Sequence, residues 1–410
     1  MKLFPIFGIA FRNVLRNKRR TTLTLASIII GGVALVFVGG YIEYSFMGLR
    51  ESTIKSELGH IQYYKKGFIE KGSIEPGKYL LASKETNQIE SILKKQPQVK
   101  QFAKRLSIMG LISNGDRTVT FIGSGVEPEK NSEINAFLKV VEGEDLMDED
   151  AYKILIGTEL ARNLNIKIGE YVTLLTTTFD GSINAIDFEV LGFVSRGIKE
   201  YDSRMVVMRL QECQELLGTN KVERIVTLLD KTEDTGMIKD LISKKINLQE
   251  IEFKSWDELA NYYHQVVQLY NNAFSILKIV ILIIIVLSIA NAMVMSVMER
   301  IREIGTLRAI GTSKEMIWAL FIIEGFYLGL LGGIGSVVFG WLFAMVINLS
   351  GGIYMPPPPG NTEGYYIMIS TSLPILMLPV AISLISSVIS SIIPAAKAAK
   401  LTVVDALFHV

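Results

Sequence analysis

Four stretches of this chain run for 20 or more residues with hardly a charge: Thr21 to Ile42, Ile279 to Met298, Met316 to about Leu349, and Tyr365 to Ala396. A helix needs about 20 apolar residues, rising about 1.5 Å each, to cross the hydrocarbon core of a bilayer. Inside that core only a helix or a closed barrel satisfies its own backbone. The expected fold class is therefore an α-helical integral membrane protein with four transmembrane helices. A hydrophobic content of 49% and a mean hydropathy of +0.35 agree with this but do not locate the spans. The net charge of +1 argues for neither a nucleic-acid binder nor an acid-seeking surface.

Loop charges set the orientation. Lys2, Arg12, Arg16, Lys18, Arg19 and Arg20 precede the first span with no acidic residue among them, which holds the N terminus in the cytoplasm. Four crossings return the chain there, where Lys397 and Lys400 follow the last run, and Glu363 is the sole charge between Ser350 and Gly364. The first run is longer than a signal-peptide core and ends in no small-residue cleavage pattern, so it reads as an uncleaved anchor. Residues 1–20 read as a cytoplasmic amphipathic helix, with Phe7, Ala10, Phe11, Val14 and Leu15 on one face.

The resulting plan places transmembrane helices at 21–48, 271–298, 316–349 and 365–396. A large external domain occupies 49–270, a cytoplasmic connection 299–315, an external loop 350–364 and a cytoplasmic tail 397–410. Alternation over Arg117–Ile122, Tyr171–Thr176 and Phe188–Val194 predicts strands, and helical spacing over Asn87–Gln96 and Leu210–Leu217 predicts helices, so the external domain is mixed α/β. The single cysteine, Cys213, reads as a half-buried helix residue.

Two helical stalks are expected to join this domain to the spans. Ser255-Trp-Asp-Glu258 is a capping-box pattern that can start a helix running unbroken to Met298, about 66 Å long. The first span can continue to Leu58, with Gly59 suited to end it. Phe46, Val266, Tyr270 and Phe274 extend the apolar stripe of these stalks. They either line a lateral cleft between the stalks or pack the stalks together.

In the third span Gly325, Gly329 and Gly333 recur every four residues, with Gly332, Ser336 and Gly340 as a second small-residue row, so another helix of this or a second subunit can approach closely. Glu324 is an intramembrane carboxylate, either functional or paired with a basic residue near the cytoplasmic end. Pro356 to Pro359 predicts a stiff polyproline turn.

The connection ERIREIGTLRAIGTSKE, 299–315, has no room for a domain and reads as a transmission element. Ile301, Ile304, Leu307 and Ile310 form its expected apolar stripe. Glu299, Arg300, Arg302, Glu303, Arg308 and Lys314 offer charged contacts for a docking partner. Gly311 is suited to end the helix, and Thr312 with Glu315 to cap the next.

Chemistry is sparse. Residues 72–78 have phosphate-loop spacing, but Tyr79 stands where a magnesium-binding hydroxyl belongs, and Leu349-Ser-Gly-Gly352 ends a membrane span. His60, His264 and His409 are too scattered for a metal site. No catalytic residue and no metal ligand is assigned.

FRNVLRNKRRTTLTLASIIIG, MERIREIGTLRAIGTSKEMI, EGFYLGLLGGIGSVVFG and IIPAAKAAKLTVVDAL, in this order, resemble the FtsX-like permease superfamily that includes MacB, LolC and LolE. ILIGTELARNLNIKIGEYVTLL and FEVLGFVSRGIKEYDSRMVVMRLQECQELLG extend the match, the latter resembling the lipoprotein-releasing LolC/LolE branch around Gly197 and Glu200 to Asp202. The resemblance implies a type VII ABC transporter subunit with a MacB-like periplasmic core domain, working by mechanotransmission in a bacterial inner membrane. It implies a second permease copy or paralogue, a dimer of separate cytoplasmic ATPase subunits holding the ATP and Mg, and no cofactor on this chain. It also implies an external domain divided into 49–130 with 221–270 and an inserted part at about 131–220.

The implied cargo is a lipoprotein or lipid of the outer leaflet; a MacB-like efflux subunit and an FtsX-like signal relay are the alternatives. The roughly 220 external residues count against the relay. Thr176 to Ala185, where LolC carries a proline-containing hook, is short and lacks proline, so recruitment of a periplasmic carrier or adaptor stays open.

Overall fold

The computed structural model describes residues 4–72, 74–246, 250–357, 360 and 364–401. The chain divides into two compact units: Met1–Met47, Val266–Met355 and Tyr366–Val410 form a helical unit, and Gly48–Gln265 with Pro356–Tyr365 form a sheet unit. His409, Val403, Pro358 and Pro359 lie outside the described residues.

The helical unit contains α1 (Phe4–Arg16), α2 (Lys18–Thr53), α3 (Asn261–Glu299), α4 (Ile301–Ala309), α5 (Lys314–Leu349) and α6 (Leu373–Lys400). Among the described residues, four helices are long and apolar enough to cross a membrane: Lys18–Ser56, α3, α5 and α6. The last apolar run is helical only from Leu373, because Tyr365–Ile367 pairs as a strand with Ile353–Met355 and Pro374 sits in the first turn of α6.

The two small-residue rows of α5 find different neighbours inside the same chain. A Cβ on Gly325, Gly329 or Gly333 would come within 1.8, 2.2 and 2.5 Å of Ser391, Ser387 and Ser383 Oγ, all on α6. The second row meets α2: Gly332 lies against Ile28, Gly340 against Val36, and Ser336 Oγ donates to the Ile28 carbonyl (3.3 Å). Matching four-residue periods bring the backbones together.

Helix α1 also packs on α5. Ile6 and Ala10 bury against Leu320, beside Met316, Ile323 and Tyr327, and Phe11 meets Tyr327 edge to face (5.4 Å). Phe7, Phe11 and Leu15, on the same apolar face, are exposed. Its apolar arc is about half the helix circumference, and one neighbour covers only the Ile6–Ala10–Val14 side.

The sheet unit is built on ten strands: β1 (Ile61–Lys65), β2 (Val99–Ser113), β3 (Thr118–Val126), β4 (Lys139–Gly143), β5 (Lys153–Gly157), β6 (Tyr171–Thr177), β7 (Ile183–Ser195), β8 (Met205–Arg209), β9 (Arg224–Leu229) and β10 (Ile251–Ser255). Their order is β10-β1-β9-β2-β3-β8-β5-β7-β4, with β6 bridging β2 and β7. β3 pairs with β8, and β5 with β7, in parallel; the other ladders are antiparallel. Tyr63, Phe121, Phe188 and Ile156 fill the core. Cys213 is fully buried, not half-buried, because helix Leu210–Leu217 presses it against Gly125 and its Sγ donates to the Leu106 carbonyl (3.5 Å).

At the start of the second stalk the capping box forms, with the Ser255 amide donating to Glu258 (3.0 Å), but it starts only the single turn Trp256–Leu259. Burial works against the Glu258 charge, but Lys239 and Ser255 outweigh it and hold this carboxyl at about 2. Ala260 breaks the helix at ψ 56° and is buried with Trp256, Ile54 and Leu228. Drawing both residues into one core bends the chain, so the unbroken helix is α3, 39 residues or about 58 Å long. The first stalk does run on to Leu58, its last turn widened to a π-turn over Ile54–Leu58 and closed by Gly59 at φ +60°.

Candidate functional site

The connection between α3 and α5 is three separate pieces. Glu299 is the last residue of α3, Arg300 breaks the path at φ −119° and ψ 18°, and α4 covers Ile301–Ala309. Gly311, at φ +95°, follows, and the Thr312 amide reaches back to the Leu307 carbonyl (3.0 Å). Lys314 opens α5, whose cap is Ser313 and not Thr312: Ser313 Oγ accepts from the Met316 amide (3.3 Å).

The four-residue apolar stripe does not form. Ile301 and Ile304 are buried in the core of the helical unit, Leu307 is half-buried, and Ile310 is 75% exposed. A spacing of three drifts by about 60° per step on a helix of 3.6 residues per turn, so positions nine apart fall on opposite sides. The inner side fastens α4, and the outer side is left with Ile310.

The charged residues divide in the same way. Arg300 is buried, with Nη1 donating to Glu324 (2.8 Å) and Nε to Glu303 (3.0 Å), and its guanidinium lies over Phe321 (5.7 Å). Asn13 of α1 donates to the same Glu324 oxygen (2.5 Å), and Arg16 of α1 pairs with Glu303 (2.8 Å). Glu299 receives Arg20 (2.8 Å) and Asn17 (2.9 Å) from the α1–α2 junction. Burial opposes the Arg300 charge, but the Glu324 and Glu303 carboxylates outweigh it and raise the guanidinium above its ordinary range. Burial likewise opposes ionisation of Glu303, and Arg16 and Arg300 together hold its carboxyl below its ordinary value. Arg302 and Lys314 are exposed, and Arg308 donates to the Thr312 carbonyl (3.2 Å), closing the turn after α4.

Of the four stalk residues, Phe46 and Tyr270 meet edge to face (6.1 Å). Phe274 lies against Gly39 beneath the Lys278 ammonium (5.1 Å), and Val266 is half-buried. Three of them thus fill the α2–α3 seam.

The sheet unit holds a feature that sequence reasoning missed: a groove of about 1220 Å³ between residues 68–80 and strands β2, β3 and β6. Met109 (72% exposed), Ile122, Leu175 and Ile74 face it. The signal was the run Ile108-Met-Gly-Leu-Ile112, which puts apolar side chains on both faces of a strand.

Residues 21–245 match the family described as MacB-like periplasmic core domain, and residues 275–403 match the FtsX-like permease C-terminal family. The chain is 24% identical to an uncharacterized ABC transporter permease of Methanocaldococcus jannaschii, over 99% of this chain and 98% of that one. It is 22% identical to the lipoprotein-releasing system transmembrane protein LolC of Neisseria meningitidis serogroup B, over 96% of each. It is 23% identical to the macrolide export ATP-binding/permease protein MacB of Bdellovibrio bacteriovorus, over 97% of this chain but 60% of that longer protein. With one match covering more than half of the chain and the other most of the remainder, this chain belongs to the FtsX-like permease family of ABC transporter subunits, with a MacB-like periplasmic core domain.

Proposed function

We propose that this permease sits in the inner membrane with both termini in the cytoplasm and relays ATP-driven motion to its periplasmic domain, extracting lipoproteins or lipids from the outer leaflet. A dimer of separate ATPase subunits docks on α4, and a second permease copy or paralogue completes the transporter. The observation that carries the relay is α4 itself: a nine-residue helix held on its inner side by Ile301, Ile304 and Arg300, with Ile310, Arg302 and Lys314 each left exposed. A partner that buries Ile310 gains apolar area and a basic rim in one contact. Co-expression with the partner ATPase tests it. Ile310→Asp with Lys314→Glu is expected to leave the permease folded and to lower ATPase co-purification at least tenfold; undiminished co-purification overturns the docking role.

The lipid reading draws on the exposed apolar groove beside β2, since such a surface suits acyl chains or an apolar protein and not a hydrophilic solute. The name of the LolC relative points the same way. A photo-crosslinker at Met109 is expected to capture lipid or acylated protein from cells, and capture of soluble solutes alone favours an efflux subunit. The hairpin between β6 and β7 is closed by the Thr178 amide on the Ser182 carbonyl (2.8 Å).

A further inference from the structure

We propose that the Arg300 guanidinium is a two-pronged positioning pivot that fastens α4 to α5 and α1, so that these three elements move as one body. One nitrogen holds Glu303 within α4, and another holds Glu324 on α5, 24 residues along the chain. Each carboxylate is shared with α1, Glu324 with Asn13 and Glu303 with Arg16. The two shares differ in weight. Arg300 and Glu324 are both buried, so separating them leaves an uncompensated charge away from water, whereas Arg16 and Glu303 are about half exposed and their pairing is screened.

The position is also the mechanical joint. Arg300 has left helical geometry, so no continuous backbone ladder links α3 to α4, although the Arg300 amide still reaches the Val297 carbonyl (3.1 Å) and the Ile304 amide the Arg300 carbonyl (3.0 Å). Side chains therefore share in setting the orientation of α4, and the fork supplies two directions from one planar group. A lysine offers a single point charge and cannot reproduce them. The role in transport rests on the reading of α4 as the docking element; the pivot itself does not.

Spin labels at Gly8→Cys on α1, where nothing crowds a new side chain, and at exposed Thr306→Cys on α4 report their separation in the full-length permease in lipid nanodiscs. Cys213 is buried and stays unlabelled. The parent is expected to give one narrow distance distribution. Arg300→Gln with Glu324→Gln removes both buried charges together, so the helices form and insert, yet the distribution is expected to widen at least twofold. Arg300→Lys is expected to fall between the two, and Arg16→Ala to stay narrow. A double variant as narrow as the parent overturns the pivot, as does Arg16→Ala as broad as the double variant. Arg300→Lys at parental width overturns the two-pronged geometry. No ATPase is present, so these outcomes bear on the pivot alone, while the docking role stands or falls on the Ile310 and Lys314 variant.

Discussion

Ser387 Oγ lies where a Cβ on Gly329 would come within 2.2 Å, and the Ser383 carbonyl waits at 2.8 Å on the other side. Neither a rotamer change nor a small shift of one atom makes room for a methyl group there. Gly329→Ala is therefore expected to destabilise the permease by about 1–3 kcal/mol through overpacking, read as a lower midpoint of thermal unfolding in detergent. Exchanging the pair, Gly329→Ser with Ser387→Gly, is expected to recover part of the loss. Equal stability of the single variant and the parent contradicts the seam.

His60 couples the end of the first stalk to the sheet. Its Nδ1 accepts from the Leu229 amide (3.0 Å), its Nε2 meets Thr232 Oγ1 (3.0 Å), and Thr232 donates onward to Glu51 (3.2 Å). An amide donating to Nδ1 requires a neutral ring with its proton on Nε2. Burial lowers its pKa from 6.5 to about 4, with Glu51, Lys55, Arg50 and Glu233 around it. The folded-state value is the lower one, so between pH 6.5 and 4 the unfolded chain binds a proton that the folded chain refuses. Stability is full above that window and falls through it on acidification, by about 3 kcal/mol in all. Unfolding midpoints at pH 7 and 4.5 should differ more for the parent than for His60→Gln; equal differences remove His60 from the account.

Topology is testable by cysteine labelling of intact cells. Gly123 and Gly157, both expected outside, are poor label sites, because a Cβ at either would lie within 3 Å of a backbone carbonyl. Exposed Asp116 in the β2–β3 turn serves better. Asp116→Cys is expected to react with an impermeant reagent, and Arg302→Cys only after permeabilisation. External reactivity at 302 would reverse the orientation.

A photo-crosslinker at Phe46 is expected to capture α3 near Tyr270 in the resting permease, since their rings already touch. Capture of lipid there instead would mean that the α2–α3 seam opens and takes cargo.

Long uniform features were legible in the sequence: the apolar runs, the matching four-residue glycine rows and the Gly59 stop announce themselves locally. What was missed depends on distant partners. Nothing within Ser255–Glu258 says that Trp256 and Ala260 are drawn into a core with Ile54, which is what breaks the helix. The roles of Arg300 and Glu303 read as outward because both sit in a charged loop, while their partners lie on α1 and α5. A parallel ladder such as β3 with β8, joining Ile122 to Met205, leaves no local mark at all. The Ile301–Ile310 stripe failed for a different reason, a period of three counted as though it were helical.

Glycine on one side of α5 against serine on α6 leaves only short side chains along that line of contact, whereas on the other side its glycines receive Ile28 and Val36 of α2. Long side chains rotate and yield, and a contact made of them absorbs part of any shift before passing on the rest. Backbone seated on small residues has little such give. A displacement entering α5 at its Lys314 end is therefore expected to carry α6 along with it instead of letting the two helices slide past each other.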